Sequence, residues 1–146
     1  MENKNGRIVA AVVIGVIAIT GGAVMMNQLA KQINSVSYFN LVRMTSQVAK
    51  TLPMLVDKET ELYAVGAEDK AIRYNYRLVN HAKSDITLDP FVKAIKPGII
   101  NGNCSNPETR KGLLEKGVAM KYEYYDSSKV FIVELVVTSA DCTGPG

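Results

Sequence analysis

The sequence predicts an α+β fold: one N-terminal transmembrane helix, then a four-stranded antiparallel sheet with helices packed on one face, in the order α-β-β-α-α-β-β. Three observations predict it. Residues Ile8 to Met26 form a long uncharged run, two pairs of later segments alternate apolar and polar residues, and helical spacing precedes and separates these pairs.

The uncharged run is the first element. It holds nineteen residues, IVAAVVIGVIAITGGAVMM, in which Thr20 is the only polar side chain. A helix of this length spans about 28 Å, close to the hydrocarbon thickness of a bilayer. Lys4 and Arg7 precede the run, and basic residues favour a cytoplasmic location for that end. We therefore predict a cytoplasmic tail over 1–7, a bacterial inner-membrane helix over 8–26 and a periplasmic C-terminal domain.

Two other interpretations of the run are available. A cleaved signal peptide has the same layout, and Gly21 and Ala23 suit a cut after Ala23, although the apolar run continues to Met26. The length and continuity of the run favour an uncleaved anchor. A type IV pilin leader would cut after Gly6, but Ala11 stands where that family places Glu.

A stalk or linker is predicted over 27–40, and an exported α+β domain over 41–146. The domain opens with a helix in which apolar residues recur at three and four positions from Leu41 to Leu52. Pro53 ends this helix, because proline disfavours helical geometry at the preceding residue. The apolar face of the helix needs a partner, and a sheet is predicted to supply it.

The sheet is predicted as two hairpins. The first joins a strand at 60–67 to a strand at 71–80, in which apolar and polar residues alternate with a period of two. The second joins 118–124 to 130–138 through a turn at 126–128. The run VFIVELVVT is the most β-prone of the chain and is predicted to be a central strand.

Two helices are predicted between the hairpins. The first covers 88–95 and stops at Lys96-Pro97-Gly98, with a loop at 101–103. The second covers 107–116, with proline in its first turn and Gly117 at its C-terminal cap. The tail from Thr143 is predicted to be disordered.

Cys104 and Cys142 are the two cysteines of the chain. An even number in an oxidising compartment predicts one disulfide, worth about 4 kcal/mol in the chain-entropy model. Two unpaired thiols are the less favoured alternative. The chain has no CxxC spacing and His81 is its only histidine, so we predict no metal site and no cofactor.

Four tyrosines alternate on the inner strands of the two hairpins and should share one sheet face: Tyr74, Tyr76, Tyr122 and Tyr124. They could form a surface for a partner or ligand. The favoured alternative places their rings in the core with the hydroxyls at its rim.

The opposite face of the same strands carries Arg73, Arg77 and Lys121. These cations could bind an acidic partner, and the ordinary alternative is a solvated face partly neutralised by glutamates. His81 with Asp85 is the one pairing that could serve as a catalytic base and its orienting carboxylate. No sequence motif marks a nucleophile, however, and this absence favours a solvated loop histidine.

One resemblance concerns 52–142. The run CSNPETRKGLLEKGVAMKYEYYDSS, the later ADC and the segment PMLVDKETEL are similar to small uncharacterised exported bacterial proteins with an N-terminal signal or anchor and a Cys…Tyr-x-Tyr…Cys domain. The resemblance implies an exported α+β domain with a disulfide. It implies no activity and supplies no site residues.

The charge distribution limits the function classes. The net charge is +3 and the charges are scattered, which disfavours nucleic-acid binding. We predict a membrane-anchored periplasmic interaction module, a component or modulator of an envelope complex without catalytic activity, whose self-association is left open. The alternative is a soluble periplasmic enzyme, enzyme inhibitor or small-ligand binder released by signal-peptide cleavage.

Overall fold

The described part of the protein comprises residues 36–143 of a computed structural model. Outside it lie the predicted cytoplasmic tail, the predicted transmembrane helix, most of the predicted stalk and the last three residues of the C-terminal tail. Within it, no helix is long and apolar enough to cross a bilayer. Three α-helices and a five-stranded mixed sheet make up the domain, so the α+β class is confirmed.

The elements follow in chain order. They are α1 (Tyr38–Ala49), β1 (Met54–Leu55), β2 (Thr60–Glu68), β3 (Ala71–Leu78), α2 (Leu88–Ser105), α3 (Pro107–Gly112), β4 (Ala119–Tyr125) and β5 (Phe131–Val137). Short 3-10 turns occupy Lys83–Asp85, Leu114–Lys116 and Ser139–Cys142.

Helix α1 begins earlier than the predicted domain boundary at residue 41. Ser37 caps it by accepting a hydrogen bond from the amide of Asn40. One apolar stripe is buried at helical spacing by Leu41, Met44 and Val48. The stripe packs against β2 and β3, which identifies the partner that the sequence required.

The sheet has the strand order β1-β2-β3-β4-β5. Both predicted hairpins are present, as β2–β3 and β4–β5. The prediction of four antiparallel strands is wrong in two respects: β1 adds a short fifth strand, and β3 pairs with β4 in parallel. The chain between β3 and β4 contains α2 and α3, and such a crossover brings the next strand back in the same direction. The prediction that the last strand is central is also wrong, because β5 forms an edge.

Helix α2 corrects the predicted stop at Lys96-Pro97-Gly98 and the predicted loop at 101–103. It continues through Pro97 to Ser105. Its buried face consists of Ile95, Ile99 and Asn103, which are four residues apart and each at most 1% exposed. Proline costs about 3 kcal/mol inside a helix. Beyond the proline, burial of Ile99, at about 1.5–3 kcal/mol, and the hydrogen bond of Asn103 to Tyr122 offset that cost.

The core lies between the helices and one face of the sheet. Its fully buried side chains are Leu41, Met44, Leu62, Ile72, Tyr76, Ile95, Ile99, Leu114, Val118, Tyr124 and Val137. The polar face of the sheet lies opposite. After α3, Gly117 adopts φ +82° and ends the following 3-10 turn, so the predicted glycine cap is confirmed at a position where left-handed geometry is required.

Candidate interaction surfaces

The predicted disulfide is present between Cys104 and Cys142, whose Cα atoms are 5.2 Å apart. It joins the end of α2 to the 3-10 turn that follows β5. Together with α3 these elements border an open groove of about 1200 Å³, which we call the disulfide groove. Its lining residues are Val92, Lys93, Lys96, Pro97, Ile100, Asn101, Cys104, Ser105, Arg110, Asp141, Cys142 and Thr143.

A buried polar contact lies next to the groove, at the end of α2. The Asn103 side chain donates to the carbonyl of Ile99 at 2.8 Å and to the Tyr122 hydroxyl at 2.7 Å. The Tyr122 hydroxyl also lies 3.0 Å from Asn103 Oδ1. Because Asn103 is 1% exposed and precedes Cys104, this contact holds the last turn of α2 against β4. One border of the groove, the end of α2, is therefore fixed to the sheet.

Positive charge predominates along the groove. Lys93 and Lys96 are exposed on α2, and neither makes an ion pair within residues 36–143. Arg110 of α3 lies 3.2 Å from Glu115. The one acidic lining residue, Asp141, already accepts hydrogen bonds from the amide and hydroxyl of Thr138. The lining combines apolar and disulfide surface with unpaired ammonium groups, and this chemistry suits an acidic amphipathic segment.

The tyrosines at 74, 76, 122 and 124 form a buried stack that we call the tyrosine ladder. Tyr74 pairs with Tyr122 and Tyr76 with Tyr124 in the parallel register, with ring centroids 5.4 and 5.3 Å apart. Their exposed fractions are 8% for Tyr74, 1% for Tyr76, 3% for Tyr122 and 1% for Tyr124. Their rings lie in the core, as the favoured alternative has it, and do not form a surface for a partner or ligand. The hydroxyls of Tyr122 and Tyr124 are buried, however, and do not lie at the rim of the core. Burial raises the pKa of all four hydroxyls.

The opposite face of the sheet is not a basic surface. Arg73 lies 2.8 Å from Glu68 and 3.6 Å from Glu123, and Arg77 lies 3.1 Å from Glu61. Lys121 donates to Glu68 at 2.7 Å, a hydrogen bond that raises the pKa of the lysine and lowers that of the glutamate. The predicted cations are thus neutralised within the sheet, and their ion pairs hold neighbouring strands together.

An aromatic cluster on this face was not predicted from the sequence. The rings of Tyr63 and Phe131 each pack edge-on against Tyr125, at 5.8 and 5.7 Å, and the Lys129 ammonium lies 4.9 Å from the centre of the Tyr63 ring. Register shifts at 62–64 and beside Tyr125 bring these side chains together. A hydrogen bond from the Tyr125 hydroxyl to Glu123 raises the pKa of this tyrosine to about 12.

The histidine is not arranged as a catalytic base. His81 Nε2 lies 3.7 Å from Glu59, and both side chains are more than 40% exposed. Asp85, the predicted orienting carboxylate, instead accepts from the amide of Ala82 at 3.1 Å. Among residues 36–143, no group of three His, Cys, Asp or Glu side chains could hold a metal ion.

One buried carboxylate organises the turn between β4 and β5. Asp126 accepts from the amides of Ser128 and Val130 at 2.8 Å each and from that of Lys83 at 3.0 Å. These backbone hydrogen bonds lower the pKa of Asp126. The carboxylate therefore connects the β4–β5 turn to the segment that follows β3.

No protein-family model matches the sequence, and no curated protein matches it. Three solved structures share the fold. A pilotin of the Vibrio vulnificus type II secretion system, EpsS, is 12% identical with a TM-score of 0.60, over 74% of this chain and 93% of that chain. A presumed secreted protein of Pseudomonas aeruginosa is 16% identical with a TM-score of 0.58, over 75% and 99%.

The third structure is AspS, a pilotin of the Vibrio cholerae type II secretion system. It is 12% identical with a TM-score of 0.55, over 72% of this chain and 91% of that chain. At these identities the likeness shows the fold alone. The domain therefore has the fold found in two secretion-system pilotins.

Proposed function

We propose that this chain is a binding module of the bacterial cell envelope, which docks a partner protein of a secretion-type complex through the disulfide groove. The single observation that carries the proposal is the groove itself, a pre-formed cleft with an apolar and disulfide lining and unpaired cations at its border. The fold shared with two type II secretion pilotins supports an envelope process. The proposed activity is binding rather than catalysis.

The size of the groove favours a polypeptide occupant. Pockets for small molecules typically enclose about 300–1000 Å³ and bury most of the ligand. This groove is larger and open along α2, so a helix or short segment of a partner fits it better than a metabolite. Val92, Pro97 and Ile100 would contact the apolar side of that segment.

The charge of the groove favours an acidic occupant. Lys93 and Lys96 lie one turn apart on α2 without ion-pair partners in the described chain, and Arg110, which pairs with Glu115, also lines the groove. An acidic side chain of the partner could pair with these groups at the rim, where such contacts steer association and select the partner.

The predicted anchor supplies the cellular context. If residues 8–26 span the inner membrane with the short tail inside, the domain is held in the periplasm. A disulfide is compatible with that oxidising compartment. Cleavage of the apolar run would instead release the same binding module as a free periplasmic protein.

Site-specific photo-crosslinking in cells tests the proposal. A benzophenone amino acid is placed at Asn101, an exposed groove residue, and at Asp69, an exposed turn residue that serves as control. We expect Asn101 to crosslink one envelope protein and Asp69 to give none. The partner segment recovered by mass spectrometry should be acidic.

Charge reversal gives the matched comparison. Lys93→Glu combined with Lys96→Glu should reduce the crosslink about tenfold, whereas Lys50→Glu on the exposed end of α1 should leave it unchanged. Crosslinking from Asp69 alone, or equal yields from all variants, would show that the groove is not the docking site. Thermal stabilisation of the chain by a metabolite would favour the small-ligand alternative.

A further inference from the structure

The two edges of the sheet differ in how they are protected. Strand β1 is two residues long and follows Pro53, so it offers few backbone groups to another strand. Strand β5 has seven residues, FIVELVV, in which Glu134 is the only charged side chain. Proteins usually protect sheet edges with short strands, prolines and charges. Only the first edge of this sheet is protected in this way.

The outer side of β5 is unpaired within the described chain. The strand bonds to β4, and no other backbone hydrogen bond joins 131–137 to another element among residues 36–143. Phe131 and Val136 are 46% and 41% exposed, respectively. Helix α1, where the chain enters the domain, contacts β2 and β3 toward the other edge. No part of residues 36–143 therefore pairs with the long edge, and within this range it is open to a strand from another molecule.

The charge on this edge specifies the partner. Glu134 pairs in register with Glu123, so two carboxylates are neighbours across β4 and β5. Glu123 is satisfied by hydrogen bonds from Tyr125 and Asn75, with Arg73 nearby. Glu134 is exposed and makes no ion pair within residues 36–143. Lys121, whose pKa is raised by its hydrogen bond to Glu68 and also by the charge of Glu134, donates to Glu68 instead. Like charges in cross-strand positions destabilise a sheet, and a cation on the free side of Glu134 would relieve the repulsion.

We propose that β5 binds an extended segment of a partner protein as a sixth strand, with Lys or Arg opposite Glu134 and an apolar residue opposite Val136. Backbone hydrogen bonds provide the affinity, and the side chains on the exposed sheet face provide the selectivity. A second copy of this chain fits less well, because two-fold pairing about the middle of β5 would place Glu134 opposite its own copy. This surface is separate from the disulfide groove, and the inference does not rest on the proposed function.

Designed peptides test this inference on the full-length chain in detergent micelles. The probe VTVTKTVTV alternates along its length and is symmetric in sequence, so it presents the same order of side chains from either end. Its control, VTVTETVTV, differs only in the central charge. We expect the lysine peptide to bind about fivefold more tightly than the glutamate peptide, as measured by titration calorimetry. The variant Glu134→Lys should reverse that preference, and Asp69→Lys should leave it unchanged.

Backbone methylation distinguishes strand addition from side-chain contact. Two further lysine peptides carry N-methyl groups on alternate residues, one set on each side of the strand. In antiparallel pairing with the lysine on the face of Glu134, only one of the two sets leaves the amides that face β5 unmethylated. One peptide should therefore bind and the other fail, with slowed amide exchange confined to β5 and its flanks.

The inference would be overturned by binding of both methylated peptides, by equal affinity of the two charge variants, or by no binding at all. Protection of β5 without peptide that depends on protein concentration would also overturn it, because a second copy would then be the occupant. Loss of the groove crosslink affects none of these measurements, so the two proposals fail independently.

Discussion

Removal of the disulfide should destabilise the domain by about 4 kcal/mol. Cys104 and Cys142 close a loop of 38 positions. In the chain-entropy model, the entropy lost by the unfolded chain on closing such a loop is about 13 cal/mol/K, which at 298 K corresponds to that free energy. The variant combines Cys104→Ser with Cys142→Ser. Small domains have total stabilities of about 5–15 kcal/mol, so the change is a large fraction of the whole.

Urea unfolding of the full-length chain in detergent, followed by circular dichroism, measures this loss. The double variant should unfold at lower urea and with a steeper dependence on urea, because its unfolded state is more expanded. Reduction of the wild-type protein should reproduce the variant, and the reductant should leave the variant unchanged. A loss below about 1 kcal/mol, or an unchanged slope, would refute the argument that the disulfide acts by constraining the unfolded chain.

Three further predictions concern buried polar groups. Tyr122→Phe should lower the free energy of unfolding by about 1–3 kcal/mol, because it leaves the Asn103 side chain without its hydroxyl partner. The control is Tyr124→Phe, which removes a buried hydroxyl that has no hydrogen bond in the described chain. This change should alter the urea midpoint little. Burial raises the pKa values of the four ladder tyrosines, so their contribution to the stability of the fold is fully present below pH 10 and is lost as the pH rises further. Absorbance at 295 nm should show that these hydroxyls ionise only when the protein unfolds. Backbone hydrogen bonds lower the pKa of Asp126, so its contribution to the stability of the fold is fully present above about pH 4 and is lost as the pH falls. The variant Asp126→Asn should therefore lose less thermal stability than the wild type between neutral and acid pH. An unchanged acid profile would contradict this.

Local patterns predicted most of the elements. The two hairpins follow from the alternation of apolar and polar residues, and the disulfide follows from an even cysteine count in a chain that is predicted to be exported. Gly117 was identified because helix ends favour glycine at left-handed positions. Each of these inferences uses residues close in sequence or a covalent rule, and each needs no knowledge of tertiary packing.

The errors arise where tertiary packing overrides a local signal. Pro97 is a strong helix breaker, but α2 continues through it because Ile99 and Asn103 beyond it are buried against the sheet. Strand β1 has two residues, which is too short to show an alternation of apolar and polar side chains. The parallel pairing of β3 with β4 depends on how the helices cross the sheet, and alternation within each strand carries no information about that direction.

The candidate surfaces were predictable only in part. The cysteine pairing indicates that the end of α2 lies near the end of the chain, but the length of α2, and hence the groove, was hidden by the apparent stop at Pro97. The aromatic cluster at Tyr125 depends on register shifts, which a regular alternation does not show. Arg73 and Arg77 looked like a basic face because the glutamates that pair with them lie on neighbouring strands.

The parallel pairing of β3 with β4 also has a consequence for folding order. Each hairpin joins residues close in sequence, whereas this junction brings together Asn75 and Glu123, which are 48 positions apart. Contacts between distant residues carry a larger entropic cost of closure and tend to form late. The two hairpins should therefore form first, as separate units, and meet at this junction afterwards. Because the tyrosine ladder spans the junction, the near-ultraviolet dichroism of its stacked rings should develop only when the halves join, after the far-ultraviolet signal has begun to rise.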